Sequence, residues 1–462
     1  MLTLSTDGSA RDCGGLRRRD FLRIGSLAVG GLSLPELLRT RAMAAETGIG
    51  EALRDKAVVV LFLAGGASHI ETFDPRMEAP EGVRSVTGEV ATTIPGVTFG
   101  GTFPELAARA HKLAVVRSFC HGVNDHAKAI QHVLTAGNPL GAGMGALYAR
   151  LRGPNDPRTA MPTYGLVTTE EVDGQYVKEK ARVQDSSGPG PLGLAYAPFD
   201  PSAGGGSLDL MRLTIPRQRF DDRRSLYNAL DGAQRALDGD PRAAALDRYE
   251  RQAFDLILRS AGDALDLGRE DPRVVHRYDT SRHRIGFKRF RPCTLGRQML
   301  MARRLVEAGC GFVTVQNAGW DNHADVNNPG IEAGMKMLGP PLDQAVAAFL
   351  DDLEARGLDR KVVLVITGDF GRTPRVNKRG GRDHWAPLST LALAGGGLST
   401  GQVIGRSTRL ADAPADEPVT PGALLATLMH VLFDLPRLRL MPGVPRDIAV
   451  LLDAGAPIRG LT

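Results

Sequence analysis

Five short, largely apolar segments rich in β-branched residues constrain this chain most: "AVVVLFL" (57–63), "LAVVRSF" (113–119), "CGFVTVQ" (310–316), "VVLVITG" (362–368) and "LSTLALAG" (388–395). A strand that is apolar on both faces must be covered on both faces, as in a parallel sheet sandwiched between helices. Helical patterns fall between several of them. Residues 294–308 predict one helix, with Thr294 at its N-cap and Gly309 closing it, and residues 342–355 predict another. Thr420-Pro421 pairs an N-cap with proline at the first helical position, and that helix is expected to reach about Leu435, before Pro436. Alternating strands and helices predict an α/β fold on a doubly wound, mostly parallel sheet. A length of 462 residues, 42% hydrophobic and 24% charged, suits one large domain with insertions.

The middle is different. Residues 139–222 are rich in Gly, Pro and Ser, while 223–268 read as helical, with Asp240-Pro241 opening a helix that places Leu246, Tyr249, Ala253, Ile257 and Ala261 on one face. The expectation is a single domain over residues 45–462, with an insertion at about 139–290 capping the sheet edge. The basic run Arg282–Arg291 ("RHRIGFKRFR") fits either a polyanion patch or a solvated loop, and the solvated loop is preferred.

Residues 1–44 carry Arg17-Arg18-Arg19, then Phe21-Leu22, a modest apolar run from Ile24 to Leu34, and Ala42-Met43-Ala44 as a small-residue cleavage pattern. This resembles a twin-arginine export signal and implies a periplasmic or secreted protein. The segment holds seven Arg and four acids, so a formal charge of +5 falls to about +2 once it is removed. That weak, unclustered balance argues against nucleic acid as partner. No later run is long enough to span a membrane. Of four Cys, Cys13 lies in the export segment, and the remaining Cys120, Cys293 and Cys310 are too few and too odd in number for a disulfide framework.

Parallel sheets carry their functional groups in the loops after strand C-termini. Those loops hold Ser68, His69, Glu71 and Asp74; His121, Asn124, Asp125 and His126; Asp321 and His323; and Asp369, Arg372 and Thr373. Arg382, Asp383 and His384 precede the last strand. Five of ten His fall in these places. Imidazole and carboxylate together suit a divalent cation, with Zn first and Mn or Ca as alternatives. Each group also has a plain structural reading: Asp369 capping a turn, Asp383 and His384 as a hydrogen-bonded pair, Asp125 as an N-cap.

The stretches "LFLAGGASHIETFDP", "LAVVRSFCHGVNDHAKAIQHVLTAGNP", "GRQMLMARRLVEAGCGFVTV", "GWDNHAD", "GDFGRTPRVN" and "GRDHWAPLSTLALAGGG" span roughly residues 57 to 406. They resemble a family of uncharacterised, twin-arginine-exported, sulfatase-like bacterial proteins related to the alkaline phosphatase superfamily. The resemblance implies an alkaline-phosphatase-like α/β fold. It implies that Asp321 and His323 hold one metal, that Asp369 holds another, and that His384 returns to the first. His69 or Asp74 would replace an early Asp. Arg372, Thr373 and Arg382 would bind the anion, and His126 would act as general base, phosphoryl acceptor or outer ligand.

Two departures stand out. Glu71 occupies a position where the family commonly has Asp. The nucleophile region offers Asn124, Asp125 and His126 rather than Ser or Thr, and Cys120 lacks the context of a formylglycine precursor. The functional expectation is an exported, metal-dependent hydrolase of small-molecule or glycan phosphate or sulfate esters, using metal-activated water or an unidentified nucleophile. The rival is a non-catalytic, metal-containing protein that binds anionic glycans or joins a surface assembly.

Overall fold

The structure, a computed structural model, describes residues 52–169, 172–201, 219, 264–441, 444–453 and 455–462. The export segment and the helix expected from Asp240-Pro241 lie outside the described residues. In chain order the elements that build the site are β1 (Ala57–Leu63), α1 (His69–Thr72), β2 (Leu113–Val116), α2 (His126–Leu134), α3 (Met144–Arg152), β3 (Tyr164–Val167), α4 (Gly174–Ser186), α5 (Leu295–Glu307), β4 (Phe312–Asn317), α6 (Ile331–Ala355), β5 (Val362–Gly368), β6 (Leu391–Gly395), β7 (Gln402–Ile404) and α7 (Pro421–Leu432).

One seven-stranded sheet runs in the order β7-β2-β6-β5-β1-β4-β3. β1 pairs in parallel with both β4 and β5, β3 with β4, and β7 with β2. β6 alone is antiparallel, to β5 and to β2. The fold is therefore α/β with a mostly parallel central sheet flanked by helices. The strand pattern explains the burial. Ala57, Val59, Leu61 and Leu63 of β1 pack on one face with α5 and α6, while Val58 and Val60 pack on the other with α3 and α7. β5 splits in the same way, with Val362, Leu364 and Ile366 against Val363 and Val365. Each such aliphatic side chain contributes about 1.5–3 kcal/mol when taken from water.

The structure corrects several expectations. Residues 388–395 share the apolar pattern of the parallel strands, but β6 runs the other way, because the chain returns to the same sheet edge without a crossover helix. The helix expected at 342–355 begins at Ile331 and passes through Pro340 and Pro341, residues that ordinarily end a helix. The helix from Pro421 stops at Leu432, and Pro436 opens the next short helix, Leu435–Arg439, rather than closing this one. β3 lies within the region expected as an insertion and extends the main sheet. Its four residues include Gly165, whose missing side chain leaves room for the Cys310 thiol; so short a run gives no clear alternation. Among the described residues no helix is long and apolar enough to cross a membrane.

Candidate metal centre

Strand order fixes which loops meet. β5, β1 and β4 are neighbours in parallel, so their C-terminal ends share one edge. Asp369 follows β5 directly, and Asp321 follows β4 by four residues. Between them the chain leaves β1 through Gly65-Gly66. Gly65 has φ +104°, and a Cβ there would lie 2.6 Å from the Asp321 amide nitrogen. Only glycine lets the two flanking loops close over this turn. The antiparallel direction of β6 then has a consequence. The segment before it, carrying His384, arrives at the same edge. A parallel strand would have left His384 on the far side of the sheet.

His126 lies at the centre of the cluster. Asp125 caps α2 by accepting from the Lys128 amide at 3.0 Å, which places His126 at the first helical position. His126 Nδ1 lies 2.7 Å from Asp369 Oδ2, and Nε2 lies 3.4 Å from Asp321 Oδ2. The Nε2 atom is buried and makes no hydrogen bond. Asp369 is fully buried, and both of its oxygens face the Gly65 amide at 3.2 Å. The His121 ring, through Nε2, lies 2.6 Å from the Asp369 carbonyl.

His384 Nδ1 is 3.2 Å from the Asn124 carbonyl, which fixes the proton on Nδ1 and leaves the Nε2 lone pair free. That Nε2 lies 3.4 Å from Asp321 Oδ1. Ligand atoms of His126, Asp321 and His384 all come within 4.8 Å of one another. His323 Nε2 sits 3.2 Å from Asp321 Oδ2 and meets the Asn328 amide at 3.2 Å.

The donor set fits a divalent cation. A carboxylate holds the His126 proton on Nδ1 and a carbonyl holds the His384 proton on Nδ1, the outer contacts that orient metal-binding imidazoles. The orphaned Nε2 of His126 then points its lone pair toward a carboxylate, an arrangement that a cation between them satisfies. Without one, burial pulls the His126 imidazole down, but its contacts with Asp321 and Asp369 outweigh burial and lift it to about 9. Burial pushes the Asp321 carboxyl up. The Arg372 guanidinium and the three surrounding imidazoles override this and hold it far below the usual carboxylate range.

The expected anion clamps do other work. Arg372 is fully buried and donates Nε to the Gly66 carbonyl at 2.8 Å, Nη1 to the Arg382 carbonyl at 3.2 Å, and Nη2 to Asp321 Oδ1 at 2.6 Å and to the Gly65 carbonyl. Arg382, equally buried, gives Nε and Nη2 to Glu71 Oε1 at 3.1 and 2.9 Å. Its remaining donors go to the carbonyls of Thr373, Pro374, Val83 and Arg84. Glu71 thus serves as a buried counter-ion for Arg382. Thr373 donates its hydroxyl to the Arg375 carbonyl at 3.0 Å and accepts from the Asp383 amide at 2.9 Å.

Four expected ligands lie outside the three-residue cluster: Asp369 and His323 border it, against His126 and Asp321, while His69 and Asp74 are held elsewhere. His69 lies 2.9 Å through Nε2 from the Ala411 carbonyl, and burial pushes its imidazole down to about 4. Asp74 pairs with Arg76 at 3.1 Å and Arg117 at 3.3 Å and accepts from the Ser407 hydroxyl.

Helix α4 supplies groups that the sequence reading passed over. Gln175 donates Nε2 to Asp321 Oδ2 at 3.1 Å. Glu179 is buried, accepts from the Gly319 amide at 2.8 Å, and has its other oxygen unpaired. Burial raises its carboxyl to about 8. Tyr176, Glu179 and Val183 share the buried stripe of α4. A carboxylate on an otherwise apolar stripe was the signal available in the sequence.

The family model described as "Protein of unknown function (DUF1501)" matches residues 55–443. No curated protein matches the sequence. Among solved structures, Ps i-CgsB in complex with k-i-k-neocarrahexaose matches at TM-score 0.39 and 10% identity, covering 82% of this chain and 72% of that chain. The lipoteichoic acid synthase LtaP from Listeria monocytogenes matches at TM-score 0.33 and 11% identity, covering 80% and 75%. The PsFucS1 sulfatase from Pseudoalteromonas sp. matches at TM-score 0.34 and 12% identity, covering 92% and 77%.

Proposed function

The chain belongs to the DUF1501 family, and we propose that it is an exported, divalent-cation-dependent hydrolase of phosphate or sulfate esters. One observation carries the reading: His126, Asp321 and His384 bring three ligand atoms within 4.8 Å of one another at the strand ends. Two imidazoles and a carboxylate leave a coordination position open, and they favour Zn over harder ions. When bound, such a cation supplies Lewis acidity at an ester oxygen and acidifies water.

The chain's own groups do the rest. Asp369 holds the His126 proton on Nδ1, the Asn124 carbonyl does the same for His384, and Arg372 with Gln175 fixes the rotamer of Asp321. His323, beside Asp321 and partly exposed, is the imidazole placed to accept and pass a proton at Nε2. Among the described residues the polar partners of the Asp321 carboxylate are Arg372, Gln175 and the imidazoles of His126, His323 and His384, with no Ser, Thr or Cys hydrogen-bonded to it. Water is the attacking group in this proposal. The basic N-terminal segment supports export through the twin-arginine route.

The test uses the full mature chain, stripped of metal and reloaded with Zn, Mn or Ca, against a panel of aryl phosphates and aryl sulfates. Turnover that one cation restores and Asp321→Ala abolishes is the expected result. A second reading, a metal-containing protein that binds anions without hydrolysing them, draws on the internal engagement of Arg372 and Arg382, which leaves neither guanidinium for an ester. Stoichiometric cation with no turnover of any ester would select it.

A further inference from the structure

The basic run Arg282–Arg291 takes no part in the centre described above. In the structure Arg284–Ile285 and Arg291–Pro292 pair as a short antiparallel ribbon. Its turn is pinned by one carboxylate. Asp173 accepts from the backbone amides of Phe287 at 2.8 Å, Lys288 at 3.3 Å and Arg289 at 3.1 Å. Asp173 lies two positions before Gln175, the residue that donates to Asp321. On the opposite side, Lys288 Nζ lies 2.8 Å from Asn327 Oδ1, next to the Asn328 that meets His323. The turn is thus fixed against two segments that contact the metal centre.

The ribbon's outward groups are cationic and aromatic. Arg284, Lys288 and Arg289 are exposed, and Phe290 is 55% exposed among them. Among the described residues the Arg277 and Arg289 side chains have no hydrogen-bond or ion-pair partner. At its base the ribbon borders a cleft of about 810 Å³. Its wall carboxylates include Glu332, paired with Lys336 at 2.6 Å, and Glu105 and Asp351, paired with Arg109 at 2.7 Å, so Arg277 and Arg282 are its cations without a carboxylate partner among the described residues. The cleft lies along α6, the helix that starts just after the loop carrying His323.

We propose that this ribbon and the cleft behind it bind the further units of an anionic glycan whose ester group lies at the His126–Asp321–His384 centre. The proposal rests on the ester-hydrolase reading and names its substrate class. A small ester needs none of this surface. Arg284, Lys288 and Arg289 on the ribbon, with Arg277 and Arg282 in the cleft, present separated cations to a chain that carries separated anionic groups. The four carboxylates in the cleft, Glu105, Glu332, Asp343 and Asp351, oppose a polymer as densely charged as nucleic acid, and a carboxylate can accept hydrogen bonds from sugar hydroxyls. The exposed Phe290 ring offers an apolar face to a sugar ring.

Calorimetric titration of the full mature chain tests this. The probes are a heparin-derived hexasaccharide, the same oligosaccharide with its sulfates removed, and single-stranded DNA of equal charge. The wild type should bind the sulfated probe well above both others. Arg277→Glu with Arg289→Glu, both exposed and without a side-chain partner among the described residues, should weaken that binding roughly tenfold with an unchanged melting temperature. Asp321→Ala should leave it largely intact while removing ester turnover, so failure of the centre and failure of the surface are read separately. An absence of binding, an affinity untouched by the double charge reversal, or DNA bound as tightly as the glycan would each overturn the proposal.

Discussion

A carboxylate sealed from water persists only where neighbouring groups take up its charge, and Asp369 has for this the Gly65 amide and the His126 ring. Removing that ring exposes Asp369 and Asp321 to each other. In metal-free protein His126→Ala should therefore lower stability by about 3 kcal/mol, read by urea denaturation. A loss indistinguishable from zero would mean that the ring is not their counter-charge. The sign of the pH effect follows. With its imidazole lifted to about 9 from 6.5, His126 adds stability to the metal-free chain that is complete below pH 6.5 and fades as pH climbs through 9. A cation entering at Nε2 displaces that proton. Calorimetry in buffers of different ionisation enthalpy should show about one proton released per cation near neutral pH, and almost none above pH ~10. Glu179 behaves as an acid raised from 4.5 to about 8 by burial, so it holds its proton at pH 7. Its stabilising contribution is complete below pH 4.5 and lost as pH rises through 8. Glu179→Gln in metal-free protein should flatten that part of the melting profile, and an unchanged profile would place the titration elsewhere.

At the scale of elements, α5 and α6 are joined by charge as well as by apolar packing. Arg303 of α5 is almost fully buried and contacts Asp352 of α6 at 2.9 Å, Glu270 at 2.6 Å and Glu307 at 2.6 Å. Burial pushes the Glu270 carboxyl up, but Arg303 and Arg304 outweigh it and draw it down to about 2. Arg303→Ala leaves the buried Asp352 without one of its two guanidinium partners and should cost about 3–5 kcal/mol in chemical denaturation. A change below 1 kcal/mol would show that Arg356 and Tyr278 suffice. The elements also show what a sequence can reveal. β1 and β5 were legible to the residue, because a run apolar on both faces admits few other placements. Pro340-Pro341 hid the first half of α6, because its tolerance depends on packing that only the fold supplies. Asp321, Asp369 and His384 were legible as polar groups at strand ends. Gln175 and Glu179 went unread, because α4 follows a Gly- and Pro-rich stretch, and the cue of a carboxylate on an apolar stripe counts only once the helix itself is recognised. Arg372 and Arg382 looked like anion clamps, because a sequence does not show that a guanidinium is buried and already bonded to carbonyls.

For the molecule as a whole, function follows from strand order. Three parallel strands bring Asp369, the Gly65-Gly66 turn and Asp321 to one edge. The single antiparallel strand turns the chain so that His384 reaches the same edge, and α2 places His126 among them. Gly65→Ala should disturb this convergence, since its added Cβ meets the Asp321 backbone. The variant should fold less stably and bind a cation less tightly. The central claim is that this convergence is a cation site, and its most direct test is the metal content of the full mature chain by mass spectrometry, after exchange into metal-free buffer and reloading with Zn. The account predicts about one tightly held equivalent in the wild type, and none in folded His126→Ala or His384→Ala. A wild type that retains no cation, or folded variants that retain as much as the wild type, would contradict it.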